Sequence, residues 1–173
     1  MKKSDFHYDL PPTLIAQAPL ARRSDSRLLC LDGRSGAIQD RRFAELPELL
    51  RAGDLLVFND TRVFPARLYG EKDSGGRIEL LVERLLGGPR VLAQCRASKP
   101  PRPGQALRLE GGVTARVAGR CGEFYEIEFD SGEFLPELFE RIGHVPLPPY
   151  IGRADDAGDR QRYQTVFARQ PGA

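Results

Sequence analysis

The 173-residue chain is 40% hydrophobic and 29% charged with a net charge of +2, the balance of a globular protein that buries a core in one large or two small domains. No apolar run reaches the roughly 18–20 residues that span a bilayer, and Met1-Lys2-Lys3-Ser4-Asp5-Phe6 turns polar where a secretory signal would be apolar. Cys30, Cys95 and Cys121 are odd in number and form no CxxC pair, which points away from disulfides and zinc and toward a metal-free cytoplasmic protein.

In chain order, residues 11–17 read as a short helix, with Pro11 and Pro12 at its start and Pro19 beyond its end. Leu28-Leu29-Cys30-Leu31 is a compact strand. Turn chemistry at Asp32-Gly33-Arg34-Ser35-Gly36 returns residues 37–39 as its hairpin partner. Residues 43–50 have a helical pattern with Gly53 placed to cap it. Asp54-Leu55-Leu56-Val57-Phe58-Asn59 then reads as a buried strand ending in a polar loop. Strand, helix and buried strand in series predict an α/β domain.

Beyond Arg62 the pattern changes. Six short apolar segments, 63–69, 78–85, 91–97, 106–109, 113–118 and 124–129, alternate with turns such as Asp73-Ser74-Gly75-Gly76 and Pro100-Pro101-Arg102-Pro103-Gly104. That punctuation predicts a small antiparallel barrel or sandwich. A helix over 134–142, capped by Gly143, and a proline-stiffened exit from His144 to Ile151 close the module. After Arg153 the chain is polar, then apolar again at Tyr163-Gln164-Thr165-Val166-Phe167. The expected architecture is an incomplete α/β domain interrupted by an inserted small antiparallel β-barrel. Its divisions fall at 1–62, 63–148 and 149–173, the last returning to a truncated α/β domain.

Charge is uneven along the chain. Between Arg84 and Cys121 lie eight basic residues and one acid, Glu110, whereas from Glu123 to Glu140 the run is acidic. A basic face beside an acidic one would orient a polyanion; alternating charges that solvate the outer faces of strands are the equal alternative.

Three stretches carry a more specific signal: Ser4-Asp5-Phe6-His7-Tyr8-Asp9-Leu10-Pro11 with Leu14-Ile15-Ala16-Gln17, Asn59-Asp60-Thr61-Arg62-Val63-Phe64-Pro65-Ala66-Arg67, and Arg141-Ile142-Gly143-His144-Val145-Pro146-Leu147-Pro148-Pro149-Tyr150-Ile151. Tyr163 to Phe167 followed by Pro171-Gly172-Ala173 extends the pattern. In this order they resemble the S-adenosylmethionine:tRNA ribosyltransferase-isomerases of queuosine biosynthesis. The resemblance implies an enzyme that uses no cofactor and consumes S-adenosylmethionine as a substrate; nothing in the sequence demands a dimer, so a monomer is expected. Its partner would be a tRNA bearing an aminomethyl-deazaguanine at the wobble position. It further implies transfer and isomerisation of the ribosyl group to give an epoxycyclopentanediol, with adenine and methionine released. The family continues past Ala173, so the chain is expected to be incomplete; a non-catalytic tRNA-binding module or an inactive remnant are the alternatives.

Such chemistry starts with removal of a proton beside the sulfonium, which requires a positioned base and exclusion of water. His144, in the rigid exit loop, is the candidate base, with a structural histidine as the blander reading. Asn59, Thr61 and Arg62 follow the expected buried strand, where open α/β sheets place ligands. Arg62 could clamp the methionine carboxylate or a phosphate. Lys99 is a candidate phosphate contact and Tyr150 a candidate stacking platform for a base.

Overall fold

The computed structural model describes residues 1–172; Ala173, which ends the last family-like stretch, lies outside the described residues. The chain falls into two units, Met1–Phe58 with Pro149–Arg153, and Asn59–Pro148 with the residues from Ala154 onward.

In the first unit, β1 (Arg27–Leu31) and β2 (Ile38–Arg42) form the expected antiparallel hairpin. Its turn is held by Asp32 Oδ1, which accepts the amides of Arg34 at 2.9 Å and Ser35 at 2.7 Å, an Asx turn. The two expected helices shrink. Only Pro12–Leu14 forms a 3-10 turn in place of the helix over 11–17. Residues 43–50 give a 3-10 turn at Phe43–Glu45 and one α-turn, α1 (Leu46–Leu49). So short a helix has too few backbone hydrogen bonds to offset nucleation unless it packs, and none of its residues is buried.

The largest departure is at residues 54–59, read from sequence as a buried strand. They form no strand, and Leu55 is 87% and Val57 85% exposed. An apolar run becomes a buried parallel strand only when neighbours satisfy its amides and cover both faces. No strand among the described residues pairs with it.

The second unit contains the predicted barrel. The expected strand over 63–69 splits at Phe64-Pro65-Ala66 into β3 (Thr61–Val63) and β4 (Arg67–Lys72), because Pro65 cannot donate to a ladder. There follow β5 (Arg77–Gly87), β6 (Arg90–Ala97), β7 (Ala106–Leu109), β8 (Thr114–Cys121) and β9 (Phe124–Phe129). They close in the order β4-β5-β6-β9-β8-β7. Alternate residues point inward, as the period of a strand dictates. Leu68, Leu80, Val91, Ala93, Leu107, Val117 and Ile127 are fully buried. Closure requires a very close β4–β7 approach at Gly70, where a Cβ would collide with the Arg108 carbonyl and sit 2.9 Å from Leu109 Cα.

One end of the barrel is packed by α2 (Leu135–Ile142), whose buried Leu135, Leu138, Phe139 and Ile142 follow i, i+3, i+4, i+7 spacing. The Phe139 ring meets Phe129 edge-on at 5.5 Å and stacks on Phe64 at 6.0 Å. Gly143 ends the helix by donating to the Phe139 carbonyl at 2.8 Å; a Cβ here would overlap the Pro65 carbonyl.

The sequence reading left 154–162 without structure, yet α3 (Ala157–Arg162) forms there. It is short and polar, so no apolar period announces it. The legible signal was Asp156-x-x-Asp159, a reciprocal cap in which Asp156 Oδ1 accepts from Gly158 at 2.7 Å and Asp159 Oδ2 accepts from the Asp156 amide at 2.9 Å. The apolar stretch 163–167 forms no strand; β10 (Gln170–Gly172) follows it and pairs in parallel with β3.

Candidate functional site

The Asn59–Arg62 loop is built from polar side chains that replace ladder bonds. Asn59 Oδ1 accepts the Thr61 amide at 2.8 Å, and the Asn59 carbonyl accepts Thr165 Oγ1 at 3.0 Å. The Asp60 carbonyl receives the amides of Arg169 at 2.7 Å and Gln170 at 3.0 Å. Gln164 completes the frame: its Oε1 accepts the Val63 amide at 2.9 Å and its Nε2 donates to the Val63 carbonyl at 2.6 Å. One side chain thereby mimics a neighbouring strand. Gln164 belongs to the Tyr163–Phe167 stretch, and its role here had no signal in the sequence beyond that pattern. The Asn59 side chain is thus committed to shaping the loop and Thr61 contributes its amide, while the exposed Arg62 side chain makes no hydrogen bond or ion pair among the described residues.

Arg62 borders an open cleft of about 690 Å³, within the usual size range of ligand sites. Its walls are the β3–β10 pair, the bulged end of β5 and the outer face of α2. The floor is largely apolar, including Phe64 and Phe139, and the charged rim is Arg62, Arg84, Glu83, Glu137 and Glu140. Arg84 also has no side-chain partner among the described residues. Glu140 shares its carboxylate with Arg160 at 3.6 Å.

His144 lies in the same unit but is differently occupied. An isolated bridge joins it to Arg67, with amide–carbonyl bonds of 2.8 and 3.2 Å. Its ring sits between two carboxylates: Nδ1 is 2.8 Å from Asp155 Oδ1 and Nε2 is 2.8 Å from Glu110 Oε2. Asp155 Oδ2 also accepts the Val145 amide at 3.0 Å, and Tyr69 meets the imidazole edge-on at 4.9 Å. Burial opposes charging the ring, but the bonds to Glu110 and Asp155 outweigh it and hold its pKa above the ordinary histidine value. Both nitrogens are satisfied best when the ring is an imidazolium, which donates in both directions. That arrangement suits a clamp joining β4, the Glu110 turn and the segment leading to α3. A base would first have to give up its proton and one of these partners.

The remaining candidates are elsewhere. Lys99 is exposed on the loop after β6, and its carbonyl accepts the buried Lys72 ammonium at 2.8 Å. Lys72 ends β4 and Arg67 begins it, so Lys99 and His144 lie near opposite ends of a strand about 17 Å long. Tyr150 belongs to the first unit, 62% exposed, and its carbonyl accepts Gln17 Nε2 at 3.1 Å. Gln17 Oε1 in turn accepts the Gly152 amide at 2.6 Å, and Arg153 Nε donates to the Gln17 carbonyl at 2.9 Å. Two family-like stretches remote in sequence are joined there, through Gln17 rather than through the Tyr150 ring.

The basic and acidic runs are interleaved on the barrel. β9 lies between β6 and β8, so Glu126 meets Arg90 at 3.0 Å and Glu128 meets Arg116 at 3.6 Å. Segregation along the sequence becomes alternation across the sheet, which favours the solvation reading for these residues. Among the described residues no three His, Cys, Asp or Glu side chains are grouped to hold a metal ion, and no helix is long and apolar enough to cross a membrane.

Comparison with known proteins places this arrangement. The chain is 58% identical over 169 residues to the S-adenosylmethionine:tRNA ribosyltransferase-isomerase of Azoarcus sp. (strain BH72), covering 98% of this chain and 48% of that protein. It therefore spans about half the length of the curated relative it matches. The crystal structure of S-adenosylmethionine tRNA ribosyltransferase from Thermotoga maritima is 31% identical, covering 85% of this chain and 52% of that one with a TM-score of 0.37. The sequence profile described as "Queuosine biosynthesis protein" matches residues 3–173, and the chain belongs to that family.

Proposed function

We propose that this chain supplies part of an S-adenosylmethionine:tRNA ribosyltransferase-isomerase. The reaction would transfer and isomerise the ribosyl group of S-adenosylmethionine onto 7-aminomethyl-7-deazaguanine at the tRNA wobble position. It would give epoxyqueuosine and release adenine and methionine. S-adenosylmethionine is then a substrate, no separate cofactor enters, and the protein acts as a cytoplasmic monomer. The observation that carries the reading is the collinear 58% identity with an enzyme of that name over 98% of the chain. On this reading the barrel is an insertion over 63–148, and the flanking segments 1–62 and 149–173 belong to one α/β domain.

Arg62 is proposed to bind the substrate carboxylate, with Asn59 and Thr61 holding its loop in register; a free guanidinium on a rigid loop is suited to bidentate carboxylate recognition. Lys99 and Tyr150 are proposed as tRNA contacts outside that loop. His144 is proposed to act through position, as the cationic clamp described above, leaving the proton-abstracting base to another group.

The test is a mass balance with S-adenosylmethionine and tRNA carrying the aminomethyl-deazaguanine. Adenine release and the matching nucleoside mass gain should appear together, for this chain or for the chain extended to the length of its relatives. Retention of tRNA binding by both, with no adenine from either, would favour a non-catalytic tRNA-binding module instead.

A further inference from the structure

The cleft beside Arg62 combines features that a simple apolar groove lacks. Its floor includes Phe64, whose ring stacks on Phe139 at 6.0 Å. Glu137 and Glu140 stand on the α2 side, both exposed, and Arg62 stands on the β3 side without a side-chain partner among the described residues. An aromatic surface bordered by carboxylates is the chemistry that recognises a soft, weakly hydrated cation. An unpaired guanidinium recognises a carboxylate. Carboxylates and guanidinium groups on one rim are complementary to a ligand that carries both cations and a carboxylate.

We propose that this cleft seats the sulfonium amino-acid part of S-adenosylmethionine, its carboxylate on Arg62 and its sulfonium over Phe64 facing Glu137 and Glu140. This rests on the functional reading above and adds to it the groups that distinguish the charged substrate from a neutral thioether. Glu137 and Glu140 are one helical turn apart, so their carboxylates can act on the same cation. Phe139 is wholly buried and supports the Phe64 ring from below.

Calorimetric titration of the chain with S-adenosylmethionine and with S-adenosylhomocysteine, its neutral thioether counterpart, tests the assignment. The unsubstituted chain should bind the sulfonium compound about 10-fold tighter or more. The double variant Glu137→Gln/Glu140→Gln should bring the two affinities within about 2-fold, chiefly by weakening the sulfonium compound. Arg62→Ala should weaken both ligands alike. Because all three side chains are exposed, unchanged thermal melts should show that the barrel is intact in these variants. The proposal is overturned if the chain binds neither compound, binds both equally, or keeps its preference in the double variant. Failure of the underlying reading looks different: the unsubstituted, extended protein would then release no adenine from S-adenosylmethionine. If the cleft alone is wrong, adenine release persists and the double variant leaves KM for S-adenosylmethionine unchanged.

Discussion

The barrel and the first 58 residues have similar shares of apolar side chains but use them differently. In the barrel every strand has two partners, and inward residues such as Leu80, Val91 and Ile127 are wholly buried. In the first unit the one hairpin has a single partner pair, and Leu29, Leu31, Ile38, Leu55, Val57 and Phe58 are each more than half exposed. The contrast shows that apolar content is a requirement for a core and not a sufficient cause. A closed ring of strands satisfies its own edges, whereas an apolar run without neighbours remains at the surface whatever its composition.

The strongest way to break this comparison is to remove the same side chain from each region. Leu80→Ala should destabilise the barrel by about 2–5 kcal/mol, the usual loss for a buried leucine. Leu55→Ala should stay within about 0.5 kcal/mol. Urea titrations of both variants check this, and equal losses would mean that Leu55 is buried in solution. Gly70→Ala tests closure itself. Its new methyl meets Arg108 and Leu109 backbone, so a loss of about 1–3 kcal/mol is expected from strain, with no matching effect for alanine at Gly33, which faces open space.

A smaller effect concerns His144. Its folded pKa is raised, so its clamp contributes fully below the unfolded histidine value of about 6.5 and is lost as pH rises through the higher folded value. Unfolding free energies measured from pH 6 to pH 9 should therefore fall more for the native chain than for His144→Ala; parallel profiles would remove the clamp. The smallest change should follow Glu133→Gln, which breaks the Arg141 pair at 2.7 Å, because solvent screens an exposed pair of this kind; a urea titration indistinguishable from that of the native chain is the expected result. Amide exchange sharpens the same contrast without substitution: β5, β6 and β9 amides should exchange slowest, and residues 54–58 among the fastest.

Much of the second unit was legible in sequence because its signals are local. Short apolar segments, Gly- and Pro-rich turns and an i, i+3, i+4, i+7 helix each depend on only a few residues. The expected segments 106–109 and 124–129 coincide with β7 and β9. The break at Pro65 and the cap at Asp156 were equally local but were passed over. The site was less legible. Arg62 is legible as a candidate clamp for a carboxylate or phosphate from its loop position; the structure puts its side chain, without a partner among the described residues, beside a cleft. Arg84, Glu137 and Glu140 stand out in the sequence only as members of charge runs and Glu83 not at all, since neither spacing nor composition brings β5 and α2 to the same place.

What the sequence determined by itself was therefore the six-strand periodicity, the amphipathic helix that packs the barrel end and, through four collinear stretches, the family. Tertiary structure alone decided three matters: that the apolar run at 54–58 finds no strand partner among the described residues, that His144 is held between carboxylates 34 residues before it and 11 after it, and that opposite charges from separate runs alternate around one barrel. The physical reason is common to all three. Hydrogen-bond partners, counter-charges and burial belong to pairs of residues brought together by the chain's closure, and no single segment carries them.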